Sequence, residues 1–236
     1  MKKLKNWDNK TWLSSKRYIL SINRFLKKNI KLNRNSKILD IGCGRGNIIS
    51  SLNSFYRFKE KPIGLDIIKN NDIKKNIIFI KLDAIEYLRR KGENFDLILI
   101  KQTINFFTKK RVGKLIKLAK RKLNKDGKIF IFTLNHKNNE IPCFKLMKSN
   151  LEKSLKKDQN LISVIKNELK KLKIKQFNYS VTISKKNYVK MLKKRYISCL
   201  LNMPKVQLNK GIKEFSNRYK KQITFKDKLI CIISNN

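Results

Sequence analysis

Three alternating glycines set directly behind an aspartate, Asp40-Ile41-Gly42-Cys43-Gly44-Arg45-Gly46, are the residues of this chain whose types and spacing most directly imply chemistry. They follow the apolar run Lys37-Ile38-Leu39, so the segment reads as the end of a buried strand feeding a helix. Glycine turns tightly and lets a ligand approach the backbone with no Cβ in the way, and the amides of the following helix then face that ligand. A nucleotide-type cofactor fits such a turn. The GxGxG spacing departs from the GxGxxG of dinucleotide binders, so NAD or FAD is the weaker reading. A purely structural strand-to-helix turn is the bland alternative.

Further strand ends reinforce the ligand reading. Lys61-Pro62-Ile63-Gly64-Leu65-Asp66 is a second strand whose terminal carboxylate lies about twenty positions beyond the last glycine, where doubly wound folds hold a ribose. A third, Ile77-Ile78-Phe79-Ile80-Lys81-Leu82, runs into Asp83-Ala84, and a fourth, Phe95-Asp96-Leu97-Ile98-Leu99-Ile100, into Lys101-Gln102-Thr103. Four successive strands thus carry polar residues at their carboxyl ends, the edge at which open α/β sheets bind ligands.

With these residues in place, the sequence resembles the class I S-adenosylmethionine-dependent methyltransferases, in the broad group acting on small molecules. The resemblance is close over residues 35–135 and loose elsewhere. It implies that Asp40, Gly42, Cys43, Gly44 and Gly46 hold the methionine end of S-adenosylmethionine, that Asp66 binds its ribose, and that Ile67 and Lys101 also bind the cofactor. It further implies that Asp83 and Ala84 face the adenine, and that residues 101–106, Lys101 among them, line the methyl-transfer cleft. Many relatives carry one or two histidines after the fourth strand; Asn105 and Phe106 stand there in this chain, which removes an obvious general base.

A sulfonium carries its own leaving group, so orientation of the acceptor supplies most of the acceleration and a base is needed only when the acceptor must lose a proton. The candidate catalytic groups are Lys101, Gln102 and His136, the single histidine. Candidates for holding substrate are Asn105, Arg195 and Tyr196, with Arg195 suited to pairing with a substrate carboxylate. Against these stand plainer readings: Lys101 as a structural cation at a strand end, Arg195 and Tyr196 as a solvated helix face, His136 as a solvent-facing loop residue.

The elements that must position these groups alternate along the chain. Residues 9–30 have apolar spacing for an amphipathic helix, with Trp7, Trp12 and Tyr18 either packing at the sheet edge or serving as a lid. Residues 47–55 and 84–90 read as helices, Thr108 caps a longer one, and Asp126-Gly127 turns into a fifth strand at residues 128–133. A helix is expected over residues 144–172, with a break near Asp158-Gln159-Asn160, and strands over 177–183 and 228–233. This alternation selects an α/β fold, a doubly wound Rossmann-like sheet with right-handed crossovers. The family adds seven strands with an antiparallel terminal strand. One domain covers 1–236: an N-terminal helical segment (1–35), a cofactor-binding core (36–134) and a C-terminal part (135–236) whose helical cap insertion, at about 185–220, is the place to seek substrate specificity.

Composition sets the remaining limits. Of 236 residues, 59 are basic and 16 acidic, a net charge of +43 that ordinarily suggests nucleic acid or anionic membrane. The charge is spread along the chain, and lysine outnumbers arginine roughly four to one. Abundant Lys, Asn and Ile are what an A/T-rich coding sequence yields, which supplies a cause needing no ligand. Nonspecific nucleic-acid binding at low salt is expected in either case. Cys43, Cys143, Cys199 and Cys231 form no CxxC pair, so neither a metal nor a disulfide framework is expected. No apolar run approaches the ~18 residues of a membrane helix and no signal peptide is evident, so a cytoplasmic setting is expected. The leading function is methylation of a small-molecule acceptor. An RNA or ribosome methyltransferase and a noncatalytic cofactor-binding partner subunit are the alternatives.

Overall fold

The computed structural model of the protein describes residues 11–234. Short apolar runs build the middle of the sheet: β1 (Ile38–Ile41), β2 (Ile63–Asp66), β3 (Ile78–Lys81), β4 (Phe95–Lys101) and the long β5 (Leu123–Leu134). Two strands of 13 residues, β6 (Leu172–Ser184) and β7 (Gln222–Ser234), complete it. The seven strands lie in the order β3-β2-β1-β4-β5-β7-β6. The first five are mutually parallel, and β7 runs antiparallel to both β5 and β6.

Parallel strands flanked by crossover helices are covered on both faces, which is why β1 and β4 are apolar nearly throughout. Alternation splits their side chains between two cores. Leu97, Leu99, Phe130 and Phe132 pack on the face that carries α1 (Lys16–Asn29) and α2 (Asn47–Tyr56). Ile98, Ile100, Ile129 and Ile131 pack on the face that carries α3 (Ala84–Arg89) and α4 (Lys109–Arg121). Ser15 caps α1 by accepting from the Tyr18 amide, and Thr108 caps α4 by accepting from the Arg111 amide, as its position in the sequence suggests.

Three elements differ from the sequence-based expectation. The helix α5 (Lys145–Leu169) runs through Asp158-Gln159-Asn160 without a break. Its buried residues, Leu151, Leu155, Asp158, Leu161 or Ile162, Ile165 and Leu169, fall at helical spacing, and tertiary burial of that stripe outweighs the weak local propensity of three polar residues. At β5, the Asp126-Gly127 turn is a bulge inside the strand: Leu123 pairs with Phe95 while Lys128 pairs with Leu97. A Cβ on Gly127 would stand 2.6 Å from the Phe95 carbonyl oxygen.

The third difference bears on the site. The strands β6 and β7 are about twice as long as their apolar patterns predict. They pair along their whole length, from Leu172–Ser234 to Ser184–Gln222, whereas β5 pairs with β7 only from Phe130–Ile233 to Leu134–Leu229. The outer half of this ribbon therefore projects past the carboxyl end of β5. Its buried residues Ile223, Phe225 and Asp227 alternate with exposed ones, so one face is covered. Between the two strands lie α6 (Lys185–Lys193) and α7 (Lys205–Arg218), joined by a 3-10 turn at Ser198–Leu200. Among the described residues no helix is long and apolar enough to cross a membrane, and no group of three or more His, Cys, Asp or Glu could hold a metal ion.

Candidate functional site

The glycine loop links β1 to α2, and its three glycines are there for different reasons. All three have φ between +59° and +75°, a region that side chains with a Cβ rarely enter. A Cβ on Gly42 would stand 2.2 Å from Thr103 Oγ1, and one on Gly46 would stand 2.1 Å from Ile77 Cδ1. Packing within the protein therefore demands both. A Cβ on Gly44 would meet nothing within 4 Å, so that glycine leaves room at the surface of the loop. Cys43 fills the space beside Gly64, and burial raises its thiol pKa, which suits a packing role better than thiolate chemistry.

Carboxylates gather at this edge. Asp40 is 3% exposed at the end of β1, and burial pushes its pKa up to about 7, opposed by the charge of Lys101 and assisted by that of Asp66. Asp66 accepts from the Gly44 amide and from the Ile68 amide, each at 2.9 Å. Each carboxylate oxygen has a second lone-pair direction, so these bonds leave capacity for ribose hydroxyls. Burial raises the Asp66 pKa, and its amide bonds act against that. Ile67 beside it is exposed. Asp83 caps α3 by accepting from the Ile85 and Glu86 amides, and its second oxygen pairs with Arg111 at 2.5 Å. Ala84 is buried in the first turn of that helix. The room at Gly44 and the carboxylate of Asp66 beside it fit an adenosyl cofactor at this edge.

The carboxyl end of β4 is shaped by an unusual backbone. Gln102 adopts φ +51°, a conformation that costs energy in a non-glycine residue, while its amide donates to the Phe132 carbonyl at 2.7 Å. The Lys101 ammonium donates to Gln102 Oε1 at 2.7 Å and lies 5.1 Å from the centre of the Tyr18 ring. Its charge favours the ionised forms of both Asp40 and Asp227. Lys101 is thus a cation set among buried acids.

Beyond Gln102 lies a cavity of about 60 Å³ at the mouth of the sheet. Among its walls are Gln102 and Asn105 from the segment after β4, Trp12 from the segment before α1, Tyr196 from the insertion, Asp158 from α5 and Asp227 from β7. The Trp12 indole donates to Asp227 Oδ2 at 3.0 Å. The hydroxyls of Tyr188 and Tyr196 share a hydrogen bond of 2.6 Å, and that of Tyr188 also donates to the Pro142 carbonyl at 2.9 Å. Trp12, Tyr188, Tyr196 and Phe225 form one aromatic cluster behind the cavity. Trp7, expected near this helix, lies outside the described residues.

Three of the six candidates for catalysis or substrate holding, Gln102, Asn105 and Tyr196, meet at this cavity; Tyr196 is only 2% exposed, contrary to a solvated helix face. Lys101, His136 and Arg195 do not line it. Arg195 sits in a turn after α6 with φ +54°, and its guanidinium donates to the Leu200 carbonyl. His136 is half-buried after β5, with Nδ1 lacking a hydrogen-bond partner; burial and then Lys137 and Lys166 lower its pKa.

Asp158 and Asp227 line this cavity, and the sequence reading misses both, although a signal exists. Each is a charged residue at a position that the apolar pattern assigns to the interior, the first on a helical stripe and the second on an alternating strand.

Comparison with known proteins accords with this architecture. A family model described as a methyltransferase domain matches residues 32–195. No match was found among curated protein sequences. Among solved structures, a methyltransferase assigned to an antibiotic biosynthesis pathway of Anabaena variabilis superposes with a TM-score of 0.67 at 12% identity, covering 92% of this chain and 97% of that one. An S-adenosylmethionine-dependent methyltransferase of Archaeoglobus fulgidus gives a TM-score of 0.55 at 20% identity, covering 94% and 95%. The plantazolicin methyltransferase BpumL, in complex with a triazolic desmethylplantazolicin analogue and S-adenosylhomocysteine, gives 0.53 at 16% identity, covering 98% and 89%. The chain belongs to the methyltransferase-domain family, and it shares the fold of S-adenosylmethionine-dependent methyltransferases.

Proposed function

We propose that the protein methylates a small-molecule acceptor seated in the cavity beside Gln102. The observation that carries this reading is the small size of the recess. The cavity is walled by Trp12, Asn105, Tyr196 and the β7 ribbon, and about 60 Å³ suits a small head group better than a flipped-out nucleobase, which needs a pocket that takes its whole ring. In this reading the strand ends between residues 40 and 83 supply the cofactor side, and the N-terminal segment, residues 102–106 and residues 133–236 supply the acceptor side. The +43 charge contributes only salt-sensitive, sequence-indifferent binding of polyanions.

On the cofactor side, Gly44 leaves room for close approach, Asp66 accepts from the ribose, and Asp40 offers negative charge near the methionine end. The cofactor supplies an activated methyl group with its own leaving group. The chain's own part is to orient the acceptor and exclude water, through the strained backbone at Gln102, the Asn105 amide and the aromatic cluster behind them. No residue of this set needs to act as a base for an acceptor that already carries a lone pair.

The test is transfer from labelled S-adenosylmethionine, at physiological salt, into cell extract separated into metabolite, protein and RNA fractions. Label in the metabolite fraction is the expected result. Label confined to RNA or to protein overturns the small-molecule reading.

A further inference from the structure

Resting on the reading that this cavity receives the acceptor, its lining carries an indication of substrate class. In a chain with 59 basic and 16 acidic residues, an arbitrary recess would be lined by lysine. Among the described residues no lysine or arginine lines this one, and its charged side chains are Asp158 and Asp227. The two are 5% and 1% exposed, and Oδ1 of each has no hydrogen-bond partner.

Their surroundings differ. Asp227 Oδ2 is held by the Trp12 indole, and Lys101 and Tyr18 approach the same carboxylate, although the Tyr18 hydroxyl is itself left without a hydrogen bond of acceptable geometry. Asp158 has no such company. The charge that acts on it is that of Lys157, the preceding residue, whose own side chain is exposed. Every other buried residue of α5 is apolar. Burying a carboxylate without a partner destabilises a fold, so a cation supplied from outside is what these atoms lack.

We infer that the cavity recognises a positively charged nitrogen, so that the acceptor is a small cationic amine whose head group sits between Asp158 and Asp227; where that nitrogen is the atom methylated, its proton passes to one of these carboxylates before its lone pair attacks. Trp12, Phe106 and Tyr196 add aromatic wall to the same cavity. The polar tips of Trp12 and Tyr196 are engaged with Asp227 and Tyr188, which leaves their rings to contact the head group. Carboxylates and aromatic rings together are the chemistry that binds an ammonium. The carboxylate-bearing acceptor expected from Arg195 would instead face two negative charges, and Arg195 does not line the cavity.

Three probes of nearly one shape test the inference: n-propylammonium, propan-1-ol and propionate, titrated calorimetrically into protein saturated with S-adenosylhomocysteine at about 0.15 M salt. The net charge of the protein favours propionate, so a preference for the cation would run against the overall field. Propylammonium is expected to bind roughly tenfold or more tightly than the alcohol, and propionate least. Asp158→Asn, which keeps the shape and removes a buried charge, is expected to erase that preference while cofactor binding is maintained and the melting temperature is not lowered. Equal binding of the three probes, or an unchanged preference in Asp158→Asn, overturns the inference. A second arm passes the labelled metabolite product over a cation exchanger at neutral pH. Retention supports a cationic acceptor; flow-through overturns it and leaves the small-molecule reading standing, whereas absence of label from metabolites overturns that reading itself.

Discussion

The proposed cofactor edge of the cleft is assembled within residues 40–83, on consecutive strand ends, whereas the proposed acceptor cavity joins Trp12 to Asp227 across 215 positions of sequence. At the first edge the partners lie at shorter separations: Gly44 meets Asp66, Asp83 caps its own helix and pairs with Arg111, and Gly42 packs on Thr103. At the cavity, seven separate stretches of chain contribute walls, and its two buried acids lack full hydrogen bonding. On the proposed reading, the chemistry common to the fold lies in turns on consecutive strand ends, while the choice of acceptor lies in packing across the length of the chain.

The sharpest way to break the comparison is Gly44→Val. The new side chain would enter open space above the loop with no clash inside the protein, so S-adenosylhomocysteine binding should be abolished while the chain still folds, apart from strain at φ +59°. Gly42→Ala should do the reverse, lowering the melting temperature through contact with Thr103. Ordinary cofactor affinity in the Gly44→Val variant would remove Gly44 from the site.

Asp158 provides a test on the acceptor side. Burial lifts its pKa from 3.8 to about 6, so the unfolded chain binds fewer protons than the folded one between those pH values, and the stability of the parent falls as pH rises through that window. Asp158→Asn should therefore be more stable than the parent above pH ~6, by at most about 3 kcal/mol and less wherever water reaches the carboxyl, with the difference vanishing below pH ~4. Denaturant melts at several pH values measure it. A difference independent of pH would show that the carboxyl is already satisfied.

Asp66→Ala removes charge-assisted bonds to the ribose worth about 1.5–3 kcal/mol, a ten- to hundredfold loss of cofactor affinity by calorimetry. Unchanged affinity would withdraw the ribose assignment. Trp12→Phe deletes the indole donor to buried Asp227 and should cost about 1–3 kcal/mol of stability, with cofactor affinity within about twofold of the parent. If cofactor affinity fell in step with stability, the two sides of the cleft would be one cooperative unit and the comparison would fail. The smallest effect is expected from His136→Ala. His136 does not line the cavity, so turnover on the identified acceptor should stay within about twofold across pH; a large loss would restore it as a base.

The sequence by itself determined the alternation of strand and helix, the order of the cofactor edge and the glycine loop, because each depends on periodicity or on backbone freedom within a few residues. Apolar runs such as Leu97–Ile100 can only be strands covered on both faces, and the glycines 42, 44 and 46 admit a turn that other residues resist. Tertiary structure alone decided which glycine is free toward a ligand, since Gly42 and Gly46 differ from Gly44 only in having Thr103 and Ile77 above them. It also decided the length of β6 and β7, whose outer halves are stabilised by each other and by Trp12 rather than by local propensity. Above all it brought Asp158 and Asp227 to one cavity. Their polarity on apolar stripes was written in the chain, but that the stripes of a helix and a strand nearly seventy residues apart converge is a fact of packing, which no local pattern encodes.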